Sequence, residues 1–124
     1  DVDPYPSADN RGKSLEASAA RLARMLGRDL GEAELDEWAA LAGYFAECQL
    51  AQIESAAREI LDHDALPSDA PIVGAGCGRF VLKTLALRLK RPYVDFAEVI
   101  DVLPDTREMS ARCAPCAAVA LLAG

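Results

Sequence analysis

The sequence predicts a helix-rich α/β fold, and three observations lead to this class. Apolar residues recur at helical spacing over residues 15–26 and again over residues 33–63. A short apolar run at residues 71–73 then leads through closely spaced glycines into another amphipathic segment that ends near Leu89. Finally, residues 93–96 alternate between apolar and polar side chains, which is typical of a short strand.

The first two helices are bounded by capping and helix-breaking residues. Ser14 is a suitable N-cap for the first helix, and Gly27 marks its end. Gly31 separates it from a long second helix that runs to His63. The apolar side chains of this long helix are spread around its circumference, so we predict that it is buried on more than one side at the centre of the core.

The second half of the chain carries the strand signals and two further helices. Pro92 ends the helix that follows the glycines, because proline disfavours a helical residue before it. Residues 97–103 fit a strand and a helical turn equally well, and residues 104–108 form a polar connection. The alanine-rich residues 114–123, with Pro115 in the first turn, predict a buried C-terminal helix.

The length of 124 residues bounds the chain to a single domain or to a lobe of a longer protein. Residues 1–13 form an entry loop, and residues 14–63 form helices. Residues 71–124 follow in the order strand, glycine loop, helix, strand, helix. Two short strands leave an incomplete sheet, because each strand needs a paired neighbour or a covered edge.

The charge and the cysteine content exclude several classes of protein. The chain carries 13 Lys+Arg against 20 Asp+Glu, a net charge of -7, whereas binding to a nucleic-acid backbone needs clustered cations. No apolar run reaches the roughly 18 residues of a membrane span, and no secretion signal opens the sequence. The four cysteines are too few for a disulfide scaffold, so we expect a cytoplasmic protein that binds neither nucleic acid nor membrane.

The glycine loop is the candidate site for a phosphate or nucleotide. Glycines let backbone N–H groups approach an anion, and a helix N-terminus adds about half a positive charge. An arginine at the end of the loop can add a bidentate contact to a phosphate. In the alternative interpretation, the glycines only permit a tight turn between strand and helix. The candidate residues are Gly74, Ala75, Gly76, Cys77, Gly78 and Arg79.

A second candidate ligand loop precedes the first helix. Asp9, Arg11 and Lys13 can face a phosphate-bearing ligand through a turn at Asn10 and Gly12. The alternative is a solvated linker that ends in a helix cap. The sequence does not decide between these two interpretations.

The cysteines and the one histidine carry weaker signals. Cys113 and Cys116 have the C-x-x-C spacing of a redox pair at a predicted helix start, but they lie in the last helix rather than after an early strand. A zinc site would need two more ligands, and Cys48 and Cys77 are each isolated within an apolar element. We therefore predict buried, free cysteines and no metal site. We interpret His63 as a cap of the long helix rather than a general base.

Three parts of the chain carry a resemblance to a known family. They are residues 5–14 with 20–26, residues 71–80, and residues 117–122. Together they resemble the C-terminal part of the hydantoinase/oxoprolinase-like proteins that are linked to tetrahydromethanopterin one-carbon transfer. The resemblance covers nearly all of this chain but only about the last third of such a protein.

The resemblance implies the C-terminal lobe of an actin-like ATPase fold, which is ribonuclease H-like. In such proteins the element that matches residues 72–79 lies against the nucleotide or phosphate. Asp9 falls in a stretch where the family has Thr-Ala-Asp-Gly, whereas this chain has Ser7 and Asn10 at the Thr and Gly positions. The resemblance implies that the N-terminal lobe of the family, with its phosphate loop, either precedes Asp1 or is missing.

The function that the resemblance implies is that of a transferase in the biosynthesis of a one-carbon cofactor, methanofuran or methylofuran. The enzyme would act on a phosphate- or diphosphate-bearing small molecule. Its acid/base group and any Mg²⁺ ligands would lie outside this chain. One alternative is an ATP-dependent hydantoinase or oxoprolinase, which would turn over ATP, and another is a non-catalytic partner or scaffold subunit. The missing lobe, another chain or a second copy would complete the sheet.

Overall fold

The computed structural model describes residues 5–63 and 66–123 and confirms a helix-rich α/β architecture. Two short strands, Ile72–Gly74 (β1) and Tyr93–Asp95 (β2), form a parallel pair. None of the helices in these ranges is long and apolar enough to cross a membrane. The helices are Leu15–Met25 (α1), Leu35–His63 (α2), Arg79–Leu89 (α3), Phe96–Val99 (α4), Arg107–Arg112 (α5) and Ala114–Ala123 (α6).

The chain divides into two compact units, with the boundary between Ala51 and Gln52 inside α2. The first unit contains α1, a 3-10 turn at Leu30–Glu32 and the first half of α2. The second unit contains the rest of α2, both strands and the remaining helices.

The core of the first unit forms where the indole of Trp38 packs against α1. Ser14 caps α1 by accepting the N–H of Ala17 at 3.2 Å, as the sequence predicts. Ala19 and Ala23 present a small-residue face on which the large indole packs, and all three side chains are buried. The indole Nε1–H donates to the carbonyl oxygen of Leu30 at 2.9 Å, so this buried polar group is satisfied.

The second unit is built around a strand, helix, strand unit. The register pairs Ile72 with Tyr93 and Gly74 with Asp95, while α3 connects the two strands. Lys90 caps the C-terminus of α3. It adopts a left-handed conformation with φ 53°, and its N–H donates to carbonyl oxygens in the last turn of the helix. This turn returns the chain into β2 parallel to β1.

The end of β2 leads directly into short helices that the sequence pattern left undecided or missed. Asp95 caps α4, because its Oδ1 accepts the N–H of Ala97 at 3.0 Å. α5 follows a 3-10 turn that has Pro104 in its first position, and Ala111 on α5 is fully buried. The buried hydrophobic residues of this unit are Leu85, Ala86, Ile100, Ala111 and Ala114.

Two predictions of burial are wrong. Along α2 the described buried residues are only Trp38 and Leu50, while Tyr44, Phe45 and Ile60 are exposed. α6 is also largely exposed, and Leu122 retains 88% of its accessible surface. Hydrophobic patterning indicates which faces avoid water, but no element within the described residues covers these faces of α2 and α6.

Candidate functional site

The glycine loop lies at the carboxyl edge of the two strands. Gly74 ends β1, and its register partner Asp95 ends β2, so the loop from Gly74 to Arg79 begins beside Asp95. Open parallel sheets bind ligands outside the carboxyl ends of their strands. The loop then enters the N-terminus of α3, an 11-residue helix.

Gly74 is required by the aromatic ring beside it. A Cβ atom at Gly74 would lie 2.3 Å from the Oη of Tyr93 and 2.7 Å from its Cε2. The Tyr93 hydroxyl lies 3.3 Å from the Oδ2 of Asp95, and Nζ of Lys83 lies 5.5 Å from the ring centroid. Burial raises the pKa of Tyr93, and the neighbouring Asp95 carboxylate raises it further. The hydroxyl is therefore a neutral hydrogen-bonding group in this cluster.

Gly76 has a conformational reason for being glycine. Its φ of 78° lies in the left-handed region, and its N–H donates to the carbonyl oxygen of Ala111 at 2.8 Å. This bond ties the loop to α5. No heavy atom lies within 4 Å of where a Cβ atom would sit at Gly76 or at Gly78, so the loop is uncrowded on that side.

Arg79 bonds to two carboxylates of its own chain. Its Nε lies 3.2 Å from Oδ2 of Asp95, and its Nη2 donates to both carboxylate oxygens of Glu108, at 2.6 Å for Oε1. The hydrogen bond to Glu108 raises the pKa of Arg79 above its already high value, and Asp95 contributes in the same direction. The remaining Nη1 is buried and has no hydrogen-bond partner among the described residues.

Sequence reasoning missed the two carboxylate partners of Arg79. Asp95 ends a predicted strand, which is where site residues of α/β sheets concentrate, and that position was the available signal. The only local signal for Glu108 is its spacing of four residues from Arg112, which predicts an ion pair on one helix face. In the structure, Nε of Arg112 lies 3.1 Å from Oε1 of Glu108. The hydrogen bond from Arg79 is the main cause that lowers the pKa of Glu108 below its ordinary value, and the hydrogen bond from Arg112 adds to it.

The described carboxylates at this edge do not suit Mg²⁺. Asp95 and Glu108 already accept charge-assisted hydrogen bonds from Arg79, whereas Mg²⁺ requires open oxygen ligands in octahedral geometry. No group of three or more His, Cys, Asp or Glu within residues 5–63 and 66–123 is arranged to hold a metal ion. The chemistry proposed for this loop therefore gives no role to a metal ion held by these carboxylates.

In the N-terminal candidate loop, Asp9 is the organising residue. Its Oδ1 accepts the Ser7 hydroxyl at 2.9 Å and the Arg11 N–H at 3.2 Å. Two arginines of α1 also bind it, Arg21 at 3.3 Å and Arg24 at 2.6 Å. The sequence grouped Asp9 with Arg11 and Lys13, and the structure adds the guanidinium groups of Arg21 and Arg24 on α1. Arg11 contacts it through the main chain.

This cluster borders an open depression of about 450 Å³ that is lined in part by Asp9, Arg21 and Arg24. Partial burial raises the pKa of Asp9, but the hydrogen bonds from Arg11, Ser7 and Arg24 outweigh it and bring the pKa to about 2, from 3.8. One carboxylate against two guanidinium groups leaves the depression with an excess of positive charge. This arrangement favours an anion over a cation.

Arg24→Gln should raise the pKa of Asp9, because it removes the shortest charged contact to the carboxylate. In the wild type the carboxyl group should titrate near 2. Asp9 then stabilises the fold at pH values above its ordinary pKa, and this contribution is lost as the pH falls towards about 2. Carboxyl-detected NMR titration measures the pKa directly. Arg28→Gln is the matched control, because Arg28 pairs with Glu32 instead.

The cysteine prediction is half right. All four cysteines are free, as expected, but Cys77, Cys113 and Cys116 are exposed and Cys48 is half-buried, so the prediction that they are buried is wrong. Cys48 lies on α2 and Cys116 on α6, and both helices expose much of their apolar surface, whereas Cys77 lies on the glycine loop. His63 lies exposed in the last turn of α2. Its neighbour Asp64, which the sequence placed beside it, lies outside the described residues.

The two candidate loops therefore differ in how they are built. The Gly74–Arg79 loop presents backbone at the carboxyl edge of a parallel sheet, while the Asp9 loop is organised by ion pairs with α1. Comparison with models of known protein families, with curated proteins and with solved structures found no match to this chain.

Proposed function

We propose that this chain is the C-terminal lobe of an actin-like enzyme that binds a phosphate- or diphosphate-bearing small molecule at the Gly74–Arg79 loop. The observation that carries the proposal is the path of this loop, from the carboxyl end of β1 into the N-terminus of α3. Helix N-termini bind anions through their free N–H groups and the helix dipole. The uncrowded position of Gly78 supports access by a ligand, whereas the N–H of Gly76 is already bonded to Ala111.

In this proposal the main chain contacts the anion and Arg79 positions the loop. The guanidinium already bonds Asp95 and Glu108, and its remaining nitrogen is buried. Arg79 therefore holds the start of α3 against the end of β2 and against α5. The loop N–H groups would stabilise negative charge that develops on a leaving phosphate or diphosphate. The acid/base group and any Mg²⁺ ligands are assigned to residues outside this chain.

The proposed enzyme also needs partner structure to complete the sheet. Within the described residues, β1 and β2 pair only with each other, so each strand keeps one unpaired edge although α3 packs against both. The exposed apolar side chains of α2 and α6 support the same conclusion. We assign this partner to an N-terminal lobe, with another chain or a second copy as the alternatives. The cytoplasmic role in one-carbon cofactor biosynthesis rests on the family resemblance.

Calorimetric titration with inorganic diphosphate tests the proposed site. Gly78→Asp should weaken diphosphate binding at least about tenfold, because it places a carboxylate before the first turn of α3. The substitution is sterically tolerated, since Gly78 has a φ of -83° and no heavy atom lies within 4 Å of where its Cβ atom would sit. Gly78→Asn is the matched control, because it adds the same volume without the charge. It should bind diphosphate much as the wild type does.

The same titrations separate the proposed enzyme from its alternatives. Preference for diphosphate over ATP, with and without Mg²⁺, supports a diphosphate-displacing transferase. Turnover of ATP by the wild type supports a hydantoinase or oxoprolinase relative instead. Equal diphosphate affinities for Gly78→Asp and the wild type would place the ligand elsewhere.

The second candidate function is a non-catalytic partner or scaffold subunit. Architecture alone accounts for two of the glycines, because Gly74 packs against Tyr93, while Gly76 has a left-handed φ and its N–H donates to Ala111. The largely exposed α6, which has no charged residue, favours a role in association. If neither diphosphate nor ATP binds the wild type while the chain associates with a partner, this candidate replaces the first.

A further inference from the structure

The junction of α5 and α6 holds a pair of thiols that the proposed function does not use. Cys113 is the residue between the two helices, with φ -103° and ψ 40°, and Cys116 lies three residues further along in the first turn of α6. The N–H of Cys113 donates to the carbonyl oxygen of Met109 at 2.9 Å, and its own carbonyl accepts the N–H of Ala117 at 3.1 Å. The N–H of Cys113 therefore belongs to α5 and its carbonyl oxygen to α6, and the ψ torsion of this residue lies between these two hydrogen bonds.

The spacing of Cys113 and Cys116 along the chain is close to what a disulfide needs. Side chains three residues apart on a helix have Cβ atoms about 5–6 Å apart, and a disulfide needs roughly 3.5–4.5 Å. Cys113 precedes the first helical residue of α6 and keeps a non-helical ψ. A small rotation at this one residue therefore closes the remaining gap without unwinding α6.

Both thiols are accessible, and their surroundings are apolar. Cys113 and Cys116 are exposed, and Cys116 lines an open depression of about 440 Å³ with Pro115, Val119 and Ala120. This surface lets a small disulfide approach Cys116 without displacing a charged side chain. The other exposed thiol, Cys77, lies on the glycine loop, outside this C-x-x-C pair.

We propose that Cys113 and Cys116 form a redox-active dithiol that exchanges with low-molecular-weight disulfides. One cysteine thiolate attacks the external disulfide, which gives a mixed disulfide and releases one external thiol. The second cysteine then attacks the mixed disulfide and releases the other external thiol. In total, two cysteine thiols are oxidised to one intramolecular disulfide, and one external disulfide is reduced to two thiols. In a reducing compartment such pairs are transient and catalytic or regulatory.

To test the proposal, the protein is equilibrated with oxidised and reduced glutathione in graded ratios. The reaction is then quenched with acid, free thiols are alkylated, and the intact mass is measured. A variant with Cys48→Ser and Cys77→Ser retains only the proposed pair. As the ratio of oxidised to reduced glutathione rises, this variant should lose the mass of two hydrogens and both alkylatable thiols together. It should regain them when the ratio falls again. The matched control carries Cys113→Ser and Cys116→Ser and retains the other two thiols. It should form only mixed disulfides.

A single-cysteine variant of the pair identifies the intermediate. Adding Cys116→Ser to the background that lacks Cys48 and Cys77 should leave Cys113 trapped as a mixed disulfide with glutathione. The proposal is overturned if the pair gives two mixed disulfides per chain, or disulfide-linked dimers, in place of an intramolecular bond. A disulfide that stays closed in excess reduced glutathione would be structural and would also overturn it. Circular dichroism checks that each variant keeps its helix content.

Discussion

Gly74→Ala is expected to lower the free energy of unfolding by about 1–3 kcal/mol, the usual cost of overpacking a filled site. The added methyl carbon would lie 2.3 Å from Oη, 2.7 Å from Cε2 and 2.8 Å from Cζ of Tyr93. The ring cannot swing away freely, because its hydroxyl bonds Asp95 and Lys83 lies over its face. Urea unfolding monitored by circular dichroism measures the change.

Two further variants show whether the clash with Tyr93 is the cause. Gly43→Ala makes the same chemical change at an uncrowded, exposed position inside α2, where it should stabilise the protein by about 0.5–1 kcal/mol. Tyr93→Ala removes the ring, so adding Gly74→Ala to that variant should cost little. A neutral Gly74→Ala in the wild-type background would mean that the ring moves aside cheaply, and the packing account of this glycine would then fail.

Local signals predicted the elements that are long enough to show a period. The cap at Ser14, the long helix ending at His63, the strand before the glycines and the helix ended by Pro92 are all present. α4 has four residues and α5 has six, which is too short for a helical period to appear in the sequence. The β2 signal was also short, but alternation over Tyr93–Asp95 was sufficient.

Burial and site contacts could not be predicted in the same way. The apolar side chains of α6 indicated a buried helix, but burial depends on what covers a face, and no local pattern contains that information. The glycine loop could be located from its spacing, whereas the partners of Arg79 could not. Asp95 and Glu108 are far along the chain, and only the parallel pairing of the strands and the placement of α5 bring them to Arg79.

Arg79→Met is expected to cost about 1.5–3 kcal/mol of stability at neutral pH, because it keeps the aliphatic length but removes every charged contact. Arg79 and Asp95 are largely buried, with side-chain exposures of 18% and 15%. The carboxylate of Asp95 would keep only Tyr93 and the N–H of Ala97 as partners. Arg112→Met is the matched control, since it removes only the exposed partner of Glu108 and should change stability far less.

The effect of Arg79→Met should depend on pH, and the direction follows from Glu108. Arg79 lowers the pKa of Glu108 below its ordinary 4.5, so this interaction stabilises the fold above that pH and is lost as the pH falls through the lowered value. The stability difference between wild type and Arg79→Met should therefore be smaller at an acid pH below 4.5 than at neutral pH. Urea unfolding at both values measures it. A difference that stays constant would assign the loss to packing of the side chain, and the ion pairs at the start of α3 would then contribute little.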